Sequence, residues 1–428
     1  MKKEKPTKWH KLDNTANIFP VVASKRMTNV FRLTAVLKEP IIPAHLQAAL
    51  VETLPFFSAF SVRLRHGLFW SYFETNRAIP HIEPEQDYPC RYINPIETNR
   101  YLFRVLYFEN RIHLEVFHAL TDATGAMRFL RALCYSYIKQ VHKEDFTELE
   151  QNTPYGVENA ANTEDSYLKN YLPAKAATFK EPSAYHMRGE ARMMDSVGVL
   201  SATLPVKDLK DLCRESDASV TEYITALLAH GVYREYMGAG GAKRPVNIFV
   251  PVDLRRIFPS QTSLNFFSNI TITLYLQGVD LSFEDVLAKV KEEFAAKLTR
   301  EKLAQKLAFT ARSETNMITR IVPLPIKNGI IRIIYEHSNH GSTMPFSNLG
   351  IVDINERFAK YFEGFRFLLY AAPHDPVKCS AVSYGGKLSL TFTSLQEDWR
   401  LARSVVRALT AHNIPVEVES NGDGNDVL

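Results

Sequence analysis

The apolar positions switch back and forth between helical and strand spacing along the first 140 residues. Over 43–54, Leu46, Ala49, Leu50 and Leu54 fall three and four apart behind Pro43, a residue suited to a first turn, which predicts an amphipathic helix. Aromatic and branched residues then alternate with charged ones over 60–73, 101–108 and 111–118, the period of half-buried strands. Glu109 and Asn110 form a hairpin turn between the last two, Asn being tolerant of positive φ. Ala126, Phe129, Leu130, Leu133, Cys134, Tyr137 and Ile138 restore helical spacing, so the chain passes from strand to helix through a short junction, His118 to Gly125.

From 148 to 195 no period is sustained and Asn, Thr, Pro and Glu accumulate, which marks a linker or long surface crossing. Beyond it the pattern predicts a strand at 199–204 followed by a helix. A second helix at 222–236 stands behind Ser219 and Glu222, a capping-box spacing. Strands follow at 246–252 and 270–276, then a long amphipathic helix at 283–307. Gly385-Gly386 reads as a two-residue hairpin turn before a strand at 387–393 and a helix at 399–411. The organisation expected is an α/β chain with an N-terminal lobe at 1–150, a crossover linker at 151–195, a C-terminal lobe at 196–418 and a disordered tail at 419–428. With 428 residues, 46% of them hydrophobic, the chain can bury two cores.

Charge and cysteine usage narrow the function classes. The 51 basic and 47 acidic residues leave a net charge of +4, which makes no electrostatic case for nucleic acid or a membrane surface, so any basic patch is local. Residues 1–8 are charged and polar, and no apolar stretch is long enough for a signal peptide or a spanning helix, so a cytoplasmic protein is expected. Cys90, Cys134, Cys213 and Cys379 lie far apart without a CxxC pair or a histidine cluster. They read as buried small apolar residues, with no metal site and no disulfide framework indicated.

An internal repeat isolates the candidate chemistry. RIHLEVFHALTD laid over GKLSLTFTSLQE aligns two hairpin-strand-helix units, Phe117 against Phe392, Leu120 against Leu395, and Asp122 against Glu397. His118 then falls opposite Thr393, so this unit folds without a histidine there. Strand parity puts Ile112, Leu114, Val116 and His118 on one face, where an imidazole needs a partner or a cavity. A satisfied core histidine and a base facing a cavity both stay open. Thirteen histidines and seventeen aspartates in 428 positions give roughly 0.5 chance matches to HxxxD, so specificity comes from context: one match, at a strand end, entering a helix, in one of two repeated units.

In that context FHALTDATG resembles the HxxxDG signature of the chloramphenicol acetyltransferase superfamily, which includes alcohol acetyltransferases, plant BAHD acyltransferases and non-ribosomal peptide condensation domains. The resemblance extends over nearly the whole chain. WHKLDNTANIFP looks like the start of the bacterial alcohol-acetyltransferase-like branch, VNIFVPVDLRRIFPSQTSLNFFSN looks like the segment with the superfamily's structural arginine, and MPFSNLGIVD resembles that branch's Ser-Asn-Leu-Gly stretch. The DFGWG motif of the BAHD branch is absent. Phe117 replaces the first histidine of the longer HHxxxDG form. Ala123 replaces the glycine after the aspartate, with Gly125 two places on, and this bears on the backbone path beside the base.

The resemblance implies two related lobes, each a mixed sheet flanked by helices, meeting along a tunnel lined by the histidine. It implies His118 as general base on an acceptor hydroxyl, suited by an imidazole's near-neutral pKa. Asp122 would be structural, paired with Arg255 from the second lobe, while a helix N-cap is its alternative. Ser268, Asn269, Ser347 or Asn348 would bind substrate or stabilise an oxyanion, and the two asparagines equally suit turns near strand ends. The function implied is a coenzyme A-dependent O-acyltransferase with no permanently bound cofactor, acting on acyl-coenzyme A and a small alcohol or amine. A catalytically lapsed binding protein, kept open by Ala123, and a condensation-type enzyme with a carrier-protein donor are the alternatives.

Overall fold

The structure is a computed structural model and describes residues 9–13, 15–172, 181–193, 196–238, 240–278, 280–315 and 322–422. The first half supplies strands β1 (Trp9–Lys11), β2 (Val30–Leu37), β3 (Val62–His66), β4 (Ser71–Thr75), β5 (Ile82–Pro84), β6 (Phe103–Phe108) and β7 (Arg111–Phe117). The second half supplies β8 (Gly198–Pro205), β9 (Gly240–Gly241), β10 (Val246–Asp253), β11 (Phe267–Leu274), β12 (Gln277–Gly278), β13 (Met344–Ile351), β14 (Phe362–Leu369), β15 (Val377–Tyr384), β16 (Lys387–Ser394) and β17 (Glu417–Ser420).

Two mixed sheets result. One runs β14-β2-β7-β6-β5, with β5 and β6 parallel; the other runs β11-β10-β13-β15-β16-β8-β17, with β13 parallel to both neighbours. In the first, Leu33, Ile112, Leu114, Val116 and Val105 face the helices Pro43–Thr53 and Ala123–Val141 and form one buried core. In the second, Ile248, Ile270, Ile272, Phe346 and Phe392 pack with the helices Val220–Tyr236, Phe283–Lys297 and Arg400–Ala411 around another. Period-two alternation on the strands and 3.6-residue stripes on the helices account for both cores. The repeated unit is present twice, as β6-β7 leading into Ala123–Val141 and as β15-β16 leading into Arg400–Ala411.

Local signals are realised in detail. Pro43 opens its helix, and Ser219 and Glu222 exchange capping-box hydrogen bonds. Gly385 and Gly386, at φ 56° and 79°, close the β15-β16 hairpin, a conformation that costs glycine little. The β6-β7 turn differs from expectation. Glu109, not Asn110, takes the positive φ (48°), and the Asn110 amide donates to Leu37 O at 2.6 Å.

Three expected boundaries shift. The helix at 283–307 is two helices, Phe283–Lys297 and Arg300–Thr315, because the first ends at Leu298 (ψ 54°) and Thr299 Oγ1 accepts from Lys302 N to begin the second. The tail expected from 419 is still in the sheet, since β17 pairs with β8 through Ser420 and Asn421 Oδ1 accepts from Val199 N; residues 423–428 lie outside the described residues. Within the stretch at 151–195, Ala160 joins the N-terminal core and Tyr167 and Met187 join the C-terminal one, so its described residues are more than a surface crossing. In addition, β14 leaves the C-terminal lobe and pairs with β2, adding Phe362, Phe365 and Phe367 to the N-terminal core.

The face of the N-terminal sheet opposite its helices is polar. Register places Arg32, Glu115 and Arg104 side by side on β2, β7 and β6. Glu115, fully buried, accepts from Arg32 Nε at 2.8 Å, Arg104 Nε at 2.6 Å and Cys90 N at 2.6 Å, and Arg32 also pairs with Glu85. Burial alone would raise the Glu115 carboxyl, but the two guanidiniums outweigh it and hold it below its ordinary value. Replacing Glu115 by alanine strands the buried Arg104 and leaves Arg32 with Glu85 as its one carboxylate, and the expected cost is about 3–5 kcal/mol. Chemical denaturation checks this; a midpoint equal to wild type would contradict it.

Candidate active site

His118 lies one residue past the end of β7, its N–H bonded to Asn29 O at 2.9 Å, so the β2-β7 ladder fixes where the side chain starts. The imidazole is walled by three phenyl rings. Phe19 stacks on it at 4.6 Å and 14°, Phe31 meets it edge-on at 5.2 Å, and Phe267 from the second lobe lies at 5.4 Å.

The fourth neighbour is polar. Asn265 Nδ2 donates to Asp13 Oδ2 at 2.9 Å and to His118 O at 3.2 Å, which leaves Asn265 Oδ1 facing His118 Nδ1 at 3.2 Å. An amide oxygen only accepts, so Nδ1 carries the ring proton and Nε2 holds the lone pair. The Nδ1 side also turns to the residue's own carbonyl. Among the described residues no protein group hydrogen-bonds Nε2. The ring is thus held in one tautomer and one orientation, with its basic nitrogen open.

Burial among the rings lowers the imidazole pKa below its ordinary value; its own carbonyl, Asp122 and Asn265 oppose this without overcoming it, and the Lys378 charge adds to the lowering. Neutral imidazole is therefore the resting form. Asp13 behaves oppositely. Burial pushes its carboxyl up to about 7, against the hydrogen bonds from Asn265 and Ala16 N that favour the anion.

Asp122 performs both alternatives open to it. Oδ1 accepts from Gly125 N at 3.0 Å and caps the helix Ala123–Val141, while Oδ2 accepts from Arg255 at 2.8 Å and from Phe266 N at 2.9 Å. Arg255 further donates to Asp253 Oδ1, Thr262 O and Leu264 O, so four of its five N–H groups are engaged. Burial alone would raise the Asp122 carboxyl, and the Arg255 charge with these donors brings it below its usual range. Asp122 makes no hydrogen bond to the His118 ring, so it is not a relay.

Gly125 explains the backbone path beside the base. A Cβ there would sit 2.1 Å from Thr121 Oγ1 and 2.5 Å from Ser263 O, and Thr121 itself bonds Ser263 O at 2.6 Å. The lobes touch backbone to backbone at this point, and Ala123 simply begins the helix.

The remaining candidates separate. On β11, Asn269 shares strand parity with Phe267 and so lies on the His118 side, and its Oδ1 is buried without a hydrogen-bond partner. Ser268 has the parity of Phe266 and Ile270, which face the second core. Asn348 spends its amide on Thr221 Oγ1 at 3.1 Å and Gly350 N at 2.9 Å, where Gly350 takes φ 84°. Ser347 is half-buried on β13 opposite Ser380. No hydrogen bond joins Ser268, Ser347 or Asn348 to His118 among the described residues. Asp13, Phe19, Asn265 and Tyr167, whose hydroxyl donates to Phe267 O at 2.8 Å, are the neighbours that motif reading missed.

No protein-family model and no curated protein sequence matches the chain. Among solved structures it is similar to the TRI3 trichothecene 15-O-acetyltransferase from Fusarium sporotrichioides, with 9% identity over 95% of each chain and a TM-score of 0.62. It is similar to F. sporotrichioides TRI101 complexed with coenzyme A and T-2, with 10% identity over 97% of this chain and 100% of that one and a TM-score of 0.60. The starter condensation domain of rhizomide synthetase RzmA, in a variant bound to C8-CoA, matches at 13% identity over 94% of each chain with a TM-score of 0.59. The chain has the two-lobed chloramphenicol acetyltransferase-like fold, common to these solved structures.

Two stability tests follow from this geometry. Arg255→Ala strands the buried Asp122 charge and should cost about 3–5 kcal/mol, Asp122→Ala leaves Arg255 with Asp253 and should cost less, and the double variant should cost less than their sum. Additive losses would mean the pair is uncoupled. Gly125→Ala forces backbone apart and should cost about 1–3 kcal/mol, whereas Ala123→Gly should cost less than 1 kcal/mol or so; equal melting shifts for the two would contradict the close approach at Gly125.

Proposed function

We propose that this protein is a coenzyme A-dependent O-acyltransferase in which His118 Nε2 takes the proton from an acceptor hydroxyl. The observation that carries this reading is the fixed tautomer: Asn265 and the His118 carbonyl occupy the Nδ1 side, and Nε2 is left unbonded in a site built from both lobes. The fold adds support, since solved neighbours are described as an acetyltransferase and as complexes with coenzyme A or C8-CoA.

The chemistry then runs through this chain's own groups. The acceptor O–H donates to Nε2, and as its oxygen attacks the thioester carbonyl carbon the proton moves to the imidazole. The imidazolium formed keeps its Nδ1–H on Asn265 Oδ1, and the Asp122 charge favours it. The carbonyl oxygen becomes an oxyanion, for which the Asn269 amide is the donor we assign, since among the four considered it shares the strand face of Phe267. Collapse breaks the carbon–sulfur bond, and the leaving thiolate takes the proton back from Nε2. Acceptor and thioester would reach His118 from opposite faces of the lobe interface. The alcohol O-acetyltransferase reading is preferred to a lapsed binding protein because Ala123 fits a capped helix start and the glycine required by close approach is present at 125.

The purified chain should release free thiol in proportion to ester formed when acetyl- and longer acyl-coenzyme A are screened against a panel of alcohols and amines. His118→Ala should lower turnover by about a hundred- to ten-thousand-fold while the melting temperature stays unchanged. Because burial lowers the imidazole pKa, kcat/KM should hold below pH 6.5, the ordinary histidine value, and fall only as the pH drops through the lower folded value. No thiol release across the panel, or full activity in the alanine variant, would overturn the assignment; activity with a carrier-bound acyl group alone would favour the condensation-type enzyme.

A further inference from the structure

A side-chain amide has nearly the same shape either way round, so which end faces the imidazole is decided by its other neighbours. Asn265 is 1% exposed and has three of them. Its Nδ2 lies between Asp13 Oδ2 at 2.9 Å and His118 O at 3.2 Å, and its Oδ1 faces His118 Nδ1 at 3.2 Å. Turned over, the amide would set Oδ1 against two acceptors and an N–H against Nδ1, which favours the tautomer whose proton sits on Nε2. The His118 carbonyl opposes that turn as a neutral acceptor. The Asp13 carboxylate opposes it as a charged one, which makes the stronger bond.

Asp13 is itself held. Leu12 and Ala16 on either side of it fill the N-terminal core, Ala16 N donates to Oδ1 at 2.8 Å, and Asn17 N donates to the Asp13 carbonyl at 3.3 Å. Further along the same stretch, Thr15 Oγ1 bonds the Tyr167 hydroxyl and Phe19 stacks on the imidazole. The carboxyl accepts from two neutral donors, and the charges that reach it among the described residues, Asp165 and Asp122, are of its own sign. A buried acid so placed lowers stability, and the isosteric amide would fill the space without a charge. A role for the acid in the site accounts for its presence. We propose that Asp13 is a positioning residue: accepting from Asn265 Nδ2, it holds the amide with Oδ1 on His118 Nδ1 and so selects the tautomer that leaves Nε2 open. In its catalytic consequence this rests on His118 as the general base; the choice of tautomer does not.

Ring-nitrogen chemical shifts of protein labelled with 15N-histidine report the tautomer without substrate, so their outcome is separate from that of the acyl-transfer assay. At pH 8, where Asp13 is ionised and His118 neutral, the wild type should show a protonated Nδ1 and an unprotonated Nε2. In Asp13→Asn, Ala16 N keeps the oxygen of the introduced amide, whose N–H then points at Asn265 and turns it over. Both tautomers should appear, and kcat should fall by about ten- to a hundred-fold with KM within about two-fold of wild type. The melting temperature should not fall, since an unpaired buried charge is removed. Adding Asn265→Asp to Asp13→Asn exchanges donor and acceptor, returns an acceptor-only group to Nδ1 and should restore the wild-type shifts. Wild-type shifts in folded Asp13→Asn overturn the proposal, and so does an exchanged pair in which Nε2 carries the proton; the second result decides alone if the single variant does not fold. Mixed tautomers in Asp13→Asn together with no thiol release by the wild type would uphold the positioning role and remove only the acyl-transfer reading.

Discussion

Three donors from three separate stretches of chain converge on the Asp122 carboxylate: the first turn of the following helix, the Arg255 guanidinium, and the backbone N–H of Phe266. A buried anion is tolerable only if such donors are all in place, which makes the convergence a constraint on the whole lobe contact. Phe266 cannot bond Asp122 without carrying Asn265 beside it, and Asn265 is what orients His118. The aspartate therefore governs the imidazole through the backbone of the opposing lobe, at one remove.

The same surroundings serve two ends. The phenyl walls that exclude water keep His118 neutral, and exclusion of water also strengthens the Asp122–Arg255 attraction a short distance away. Within the N-terminal sheet, Glu115 between Arg32 and Arg104 applies the identical principle to a different task, binding neighbouring strands where Asp122 binds neighbouring lobes. Both anions are held ionised by the buried guanidiniums beside them.

Much of this was legible in the sequence because it is local. Alternation located β6, β7 and β16, the Gly385-Gly386 pair located a hairpin, and the HxxxD spacing with its repeat partner singled out His118 and Asp122. What was hidden is non-local. Asn265 stands in TSLNFF like any loop residue, and its partner His118 is 147 residues away. Gly125 matters only because the Ser263 backbone arrives beside it, so the displaced glycine looked like a departure from a pattern and is a steric requirement. The alternation of FEGFRFLL announces a strand, but nothing in it names β2 as the neighbour. Thr299 ended one helix and began another by a cap that apolar periodicity passes over.

The loan of β14 to the N-terminal sheet has a consequence for how the chain is made. Until residue 369 is available, β2 is an unpaired sheet edge and the phenylalanines of Phe362–Leu369 are missing from the core beneath it. An exposed edge with an incomplete core invites pairing with other chains. The nascent N-terminal half must therefore wait, part-formed, for most of translation, and its closure belongs to the slow class of contacts between residues far apart in sequence. A gene split at the lobe boundary would separate β2 from the strand that completes it, so two independently stable halves are not to be had from this architecture.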